Sequence, residues 1–317
     1  MPKVSVIIPT YNYGKYIETA IESVLSQTYR DYEIIVIDDG STDNTKDVIA
    51  TNYNKSVRYY YQKNKGASAA RNKGIRESNG EYLLFLDADD FIGKNTLSAF
   101  MNCSKKSPNR ILYGSWVRYR IEKEKLIKMQ VREEFKGDDL LNAWFRGSFY
   151  IVCNSIFWYH KIVQHLNGWD EELTVGDDAD IAHRALMEGY QFIYCPGAVS
   201  YYQYHPEVKS ISSNINSEEI AKTQLFDAKK KEKLLLEKQL LHKYKDALAV
   251  NYYNLARKHA LQQPEMAQIF YEEFRRLKKY GKPPGSVLNW IFTTILGLEK
   301  KEKLADWLDI HIRRSGN

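Results

Sequence analysis

Cysteine is scarce: the 317-residue chain has three, Cys103, Cys153 and Cys195. They are odd in number and scattered, which excludes a disulfide framework and the paired spacing of a zinc site and fits reduced thiols in a cytoplasm. No apolar run reaches the ~20 residues needed to span a bilayer. The first residues enter a strand pattern directly, without the basic and apolar regions of a secretory signal. A G-x-G-x-x-G turn is missing after the first strand, where Pro9-Thr10-Tyr11 stands instead, and G-x-x-x-x-G-K-[ST] is missing throughout. A dinucleotide-binding dehydrogenase and a P-loop NTPase are therefore disfavoured. No H-x-x-x-H pair occurs among the seven histidines, which argues against a zinc hydrolase. No repeat of fixed period is present, so a solenoid is not expected.

What remains is a globular composition, 44% hydrophobic and 27% charged. The net charge of +6 is uneven: residues 218–317 hold 20 Lys and Arg against 13 Asp and Glu, and the rest 26 against 27. Attraction to phosphate-rich surfaces thus belongs to the C-terminal third, and no nucleic-acid partner is expected.

The first hundred residues alternate strand and helix patterns. Val4–Ile8 is a β-branched run ended by Pro9, Glu33–Ile37 reads as the next buried strand, and Tyr82–Leu86 is an apolar run without polar alternation, as expected of a strand covered on both faces. Val57–Tyr61 is a weaker strand. Ile17, Ala20, Ile21, Val24 and Leu25 keep helical spacing, Ser41 and Asp43 suit helix capping, and Ala67–Ile75 reads as helix. Such β-α repetition predicts an α/β fold with a mostly parallel, helix-covered sheet. Further on, strands are expected at Ile111–Tyr119, Leu126–Val131 and Phe192–Tyr194. A helix is expected over Gly137–Phe145 and another within Gly176–Gly189, and Ile151–Trp158 is an apolar run. Beyond Ser210 the texture is helical. Lys229–Lys233 reads as a solvated face, and Leu248–Leu261 with Met266–Leu277 as a helix pair broken at Pro264.

Chemistry concentrates where strands end. Asp87-Ala88-Asp89-Asp90 crowds three carboxylates after Tyr82–Leu86. Like charges so close need a cation, and oxygen-only ligands suit Mg2+ or Mn2+ shared with substrate phosphates. A polar turn is the bland alternative. Pro9-Thr10-Tyr11-Asn12 and Asp38-Asp39-Gly40-Ser41-Thr42-Asp43 follow earlier strands, and Asn64–Gly74 contains Ala70-Arg71-Asn72-Lys73-Gly74.

Over residues 3–210 these motifs, in this order, resemble the family 2 glycosyltransferases of GT-A fold. The resemblance implies a nucleotide pocket lined by Thr10 and Tyr11 on a turn shaped by Pro9. It implies that Asp39 accepts from the base, usually uracil, and that Arg71 helps to hold the nucleotide. Asp87 and Asp89 match its D-x-D pair, with Asp87 near the ribose or metal waters, Asp89 on a metal bridging the diphosphate and Asp90 behind them. Asp177-Asp178 stands where the family usually has Glu-Asp. The resemblance makes Asp178 the catalytic base of an inverting transfer, with Asp180 the runner-up, and the alternative is a helix cap. It also suggests His205 near the metal or diphosphate, against a solvated loop histidine, and Trp169 stacked on a sugar, against a core tryptophan. The family's processive members carry membrane spans and Gln-x-x-Arg-Trp; this chain has neither.

The expected organisation is a GT-A glycosyltransferase domain over residues 1–215, with a nucleotide-binding half at 1–110 and an acceptor half at 111–215, followed by a helical region at 216–317. The expected activity is a metal-dependent transfer in polysaccharide biosynthesis, from a UDP-linked sugar donor to a glycan or lipid-linked acceptor. Two other classes stay open: a nucleotidyltransferase on sugar phosphates, and a non-catalytic nucleotide-sugar-binding scaffold. In the C-terminal region, apolar residues from Val287 to Ile312 flanked by basic ones suit either the inner membrane surface or self-association.

Overall fold

The computed structural model describes residues 2–107, 110–122, 125–204 and 217–278, with isolated positions 297, 300 and 303. The chain divides into two compact units, one of Met1–Lys136 with Ile151–Lys209, the other of Gly137–Tyr150 with Ser210–Asn317. The 137–150 segment, read from sequence as part of the acceptor half, groups with the helices.

The first unit is built on a sheet whose first half follows β1 (Val4–Thr10), α1 (Ile17–Leu25), β2 (Tyr32–Asp38), α2 (Thr45–Asn52), β3 (Arg58–Tyr61), α3 (Ala67–Glu77) and β4 (Tyr82–Phe85). Every residue of β1 and β4 is buried, including the polar Ser5 and Thr10 of β1. Val4, Val6 and Ile8 turn one way, onto Ile17, Ala20, Ile21 and Val24 of α1. Ile7 turns the other way onto α3, where a Cβ on Gly74 would lie 2.3 Å from its Cγ2. Only glycine lets α3 sit this close.

Then come β5 (Phe91–Ile92), α4 (Thr96–Lys106), β6 (Ile111–Glu122), β7 (Lys125–Arg132), β8 (Ile156–Tyr159), α6 (His160–His165), α7 (Asp177–Met187) and β9 (Phe192–Gln203); α5 (Leu140–Phe145) belongs to the second unit. Strand order is β3-β2-β1-β4-β8-β6-β9-β5, with β7 beside β6. The expected parallel character holds from β3 to β4. Beyond β4 the sheet is mixed: β8 runs antiparallel to β4 and β6, while β6 and β9 are parallel.

The apolar run Ile151–Trp158 holds a short 3-10 turn, Cys153–Ser155, and the start of β8. One sequence expectation is corrected here. The last strand runs well past Tyr194, because β9 absorbs Pro196-Gly197 as an irregularity where its register with β6 shifts.

Parallel pairing sets the ends of β1, β2 and β4 on one edge: Thr10 stands opposite Asp38, and Ile7 opposite Phe85. The three acid- and hydroxyl-bearing turns therefore emerge together, where open α/β sheets take their ligands.

In the second unit α5 is capped by Asp139, which accepts from Asn142 N at 2.9 Å. It is accompanied by α8 (Ser217–Glu237), α9 (Leu241–His259) and α10 (Pro264–Leu277). Tyr252, Tyr253, Phe270 and Phe274 are fully buried there. The solvated reading of Lys229–Lys233 is corrected: Lys231 and Glu232 are buried. Lys231 pairs with Asp227, and Glu232 accepts from Arg276 at 2.6 Å and from Tyr252 Oη at 3.2 Å. Counter-charges from the same and neighbouring helices make this burial tolerable. No described helix is long and apolar enough to cross a membrane. The apolar stretch from Val287 to Ile312 lies outside the described residues apart from isolated positions.

Candidate active site

The first two turns are stitched to each other. Asn12 adopts φ 57°, a conformation Asn tolerates. Its Oδ1 accepts from Thr42 N at 2.7 Å, and its own N–H donates to Ser41 Oγ at 2.9 Å. Asp43 accepts from Gly14 N and from Thr45 N, both at 3.0 Å. Within β1, Pro9 and Thr10 are buried and Tyr11 beyond it is 40% exposed. Thr10 Oγ1 is buried with no hydrogen-bond partner among the described residues.

Asp38 ends β2, Asp39 follows it, and both are buried. Asp38 binds its own turn through Ser41 N at 2.7 Å and holds Tyr59 Oη at 2.6 Å. Asp39 collects the chain that leads to α3: Oδ1 accepts from Gln62 Nε2 at 2.7 Å and Lys65 N at 2.9 Å, and Oδ2 from Gly66 N at 2.7 Å. Gly66, at φ 93°, is the N-cap residue of α3. The Asp39 carboxylate thus organises the loop beside it.

Arg71 stands at the centre of the site and is almost completely buried. Nη2 donates to Asp87 Oδ1 at 2.8 Å, Nη1 donates to Asp177 Oδ2 at 2.8 Å, and Asp178 Oδ1 lies 3.4 Å away. Ser68 Oγ also donates to Asp177, at 3.1 Å. Arg71 therefore joins the D-x-D turn to the acidic pair of α7. Its charge is engaged by the carboxylates of Asp87, Asp177 and Asp178.

After β4, Asp87 and Asp89 are half-buried and Asp90 is buried. Asp90 accepts from Gln203 N at 2.9 Å and from Asn154 Nδ2 at 2.7 Å. Burial, and then the charges of Asp89 and Asp87, push its carboxyl well above the usual range. Burial and the same acids also push up the Tyr13 phenol. Among the described residues no group of three His, Cys, Asp or Glu side chains is arranged to hold a metal. His205 lies outside the described residues.

The acidic pair opens α7. Gly176, at φ 79°, is the N-cap residue and no side chain caps the helix, so the capping reading of Asp177 and Asp178 is corrected; both lie in the first turn, where they complement the helix dipole. Asp180 is buried and paired with Arg184 at 2.7 Å, a structural role. Asp178 keeps a side-chain exposure of 33%. Its carboxyl nonetheless sits against Trp169, Cys153 and Arg71, and burial is the chief reason that it is pushed up to about 7. Arg71 opposes the shift, while Asp177 and Asp87 add to it. Trp169 resolves in favour of the core: it is 2% exposed, its ring packs 4.3 Å from that of Phe85, and its Nε1 donates to Asp178 Oδ1 at 3.0 Å.

Sequence reasoning missed Ser68, Asn72 and Cys153. Asn72 sits inside a quoted motif and was detectable there, whereas nothing near Cys153 in the chain marks it.

The family model for glycosyl transferase family 2 matches residues 5–165. The chain belongs to this family. It is 48% identical over 96 residues to an uncharacterized glycosyltransferase of Rickettsia felis, a match covering 30% of this chain and 16% of that protein. It is 36% identical over 119 residues to glycosyltransferase GlyG of Streptococcus pneumoniae, covering 37% and 40% respectively. A glycosyltransferase of Rickettsia prowazekii is 31% identical over 189 residues, 57% of each chain. The chain thus spans 16%, 40% and 57% of these relatives' own lengths. In fold it is similar to S. aureus TarS 1-349 in complex with UDP-GlcNAc, with a TM-score of 0.69 at 20% identity over 98% of this chain and 92% of that one. Against TarS 1-349 alone the TM-score is 0.65 at 19% identity, over 99% and 92%. The GT-A-like expectation for the fold is met.

Proposed function

We propose that this family 2 chain is an inverting, metal-assisted glycosyltransferase that moves a sugar from a UDP-sugar to a hydroxyl of a glycan or lipid-linked glycan. The observation that carries the reading is the Arg71 bridge. One buried guanidinium ties Asp87, at the donor-side turn, to Asp177 and Asp178 at the start of α7. Donor chemistry and base are thereby held in one rigid frame.

In this reading Thr10, Tyr11 and the loop organised by Asp39 receive the nucleoside. Asp39 Oδ2 accepts one hydrogen bond from the chain, leaving capacity for a base N–H. Asp178, with a carboxyl near pH 7, is matched to general-base work. The acceptor oxygen bonds to the anomeric carbon as that carbon's bond to the diphosphate oxygen breaks, and the hydroxyl proton passes to Asp178. One displacement with one base inverts the anomeric centre.

The donor set fits Mg2+ or Mn2+: Asp89, and Asp87 through the oxygen Arg71 does not hold, are hard oxygen ligands, and a diphosphate supplies the rest. Burial, and then the charges of Asp89 and Asp87, push the Asp90 carboxyl up, which supports a cation at this turn. When bound, the ion neutralises charge on the leaving diphosphate.

The UDP-GlcNAc complex of the similar TarS fold makes UDP-sugars the first donors to test. A panel of them is screened by thermal shift with and without Mn2+, and released UDP is measured for wild type and Asp178→Asn. Binding by both proteins with turnover only by wild type supports the enzyme. Equal UDP release by both overturns it, and binding with no turnover by either favours a scaffold.

A further inference from the structure

Adjacent residues of the Ala70–Gly74 motif reach the same carboxylate by different routes. Arg71 approaches Asp178 Oδ1 directly, at 3.4 Å. Asn72 works through Trp169: its Oδ1 accepts from Trp169 N at 2.8 Å and its Nδ2 donates to Trp169 O at 2.9 Å. Gly168 makes this clamp possible, being at φ 66° with a notional Cβ only 2.4 Å from Asn72 Oδ1. The clamped indole is walled by Phe85 at 4.3 Å and Trp158 at 6.3 Å between ring centroids, and the Arg71 guanidinium lies 5.9 Å from its centroid. A buried indole has one polar atom to satisfy, and this one directs its N–H to Asp178 Oδ1 at 3.0 Å.

We propose that Trp169 is a positioning residue for the catalytic base: clamped by Asn72, its indole N–H fixes Asp178 through Oδ1 and leaves Oδ2 to take the acceptor proton. This rests on the glycosyltransferase reading above. Packing alone would not call for an N–H; the N–H is what the base requires. The groups facing Asp178 are Arg71 from α3, Asp177 from its own helix, Asp87 from the turn after β4, and the Cys153 thiol from the 3-10 turn. Among them the indole is a neutral donor that favours the charged carboxylate, so its loss raises the pH at which the base becomes competent.

The test is Trp169→Phe, assayed with whichever UDP-sugar the wild type turns over fastest. The expected result is kcat lower by about 10–100-fold, the loss typical of a misplaced group. The donor KM stays within about twofold, because uniform binding is untouched. The acid limb of kcat/KM moves up by about one pH unit, the scale of one hydrogen bond to a charged group. Because the substitution also disturbs packing, a protein carrying benzothienylalanine at 169, which keeps the bicyclic shape and lacks the N–H, must show the same pair of changes. Independently of turnover, 13C-aspartate NMR follows the Asp178 carboxyl, assigned by Asp178→Asn. Its titration midpoint is expected to rise in both Trp169 variants. A midpoint that does not move, or an unchanged kcat and acid limb in the benzothienylalanine protein, overturns the proposal. A wild type that turns over no UDP-sugar overturns the functional reading instead, which the NMR titration does not depend on.

Discussion

Arg71 Nη2 lies 2.8 Å from Asp87 Oδ1, so the first carboxylate of the D-x-D turn is neutralised by a buried cation of the same chain. The other terminal nitrogen holds Asp177 at the same distance. The bridge makes Arg71 a structural keystone whose removal strands several acids at once.

Arg71→Met is therefore expected to destabilise the first unit by about 3–5 kcal/mol, the cost of removing one member of a buried ion pair. Urea unfolding followed by tryptophan fluorescence measures it, through Trp158 and Trp169 close by. A change of less than about 1 kcal/mol would place the pair among surface bridges instead.

Asp178 carries a stability signature of opposite sign. Its folded carboxyl titrates near 7, above the ordinary value of 3.8. Between those values the folded state binds more protons than the unfolded chain, so stability falls as pH rises through the window. Asp178→Asn removes that dependence. Its Tm is expected to exceed wild type at pH 8 and to converge with it near pH 4, read by calorimetry across the range. The same variant should lose about 10²–10⁴-fold in turnover, the usual contribution of a general base.

Asp39→Ala deletes three hydrogen bonds that gather Gln62, Lys65 and Gly66. Bonds to a charged acceptor contribute about 1.5–3 kcal/mol each when intact. The loop should lose amide-exchange protection at residues 62–66, and UDP affinity measured by calorimetry should fall at least about tenfold, or 1.4 kcal/mol. Retained protection would mean that the loop is held from elsewhere.

Chelation tests the reading of Asp89. Dialysis against EDTA is expected to abolish UDP-sugar turnover and added Mn2+ to restore it, whereas Asp89→Asn should stay inactive at any Mn2+ concentration reached. Turnover that survives chelation would remove the metal from the reaction.

Much of this was legible from the residues. The runs Val4–Ile8, Glu33–Ile37 and Tyr82–Leu86 are mostly apolar because both faces are covered, and that pattern is local. The turns after them are legible for the same reason. What escaped depends on distance through space. Gly176, at a left-handed φ, rather than an aspartate caps α7, and the acids fall in the first turn, where Asp177 meets Arg71. Nothing in the neighbourhood of Arg71 announces that Asp177 is its partner, and nothing near Trp169 announces Asp178 as the acceptor for its indole. Lys231 and Glu232 read as a charge run because their counter-charges are one helical turn away, on Asp227, and on another helix, at Arg276.

The antiparallel joint between β4 and β8 has a consequence for biogenesis. Tyr82 pairs with Tyr159, so β4 leaves the ribosome with β1 already made and its other flank bare until β8 follows. Loop closure over that separation is slow, and an uncovered, wholly apolar strand is a hazard while it waits. A nascent chain arrested between Phe85 and Ile156 carries β4 with one edge unpaired.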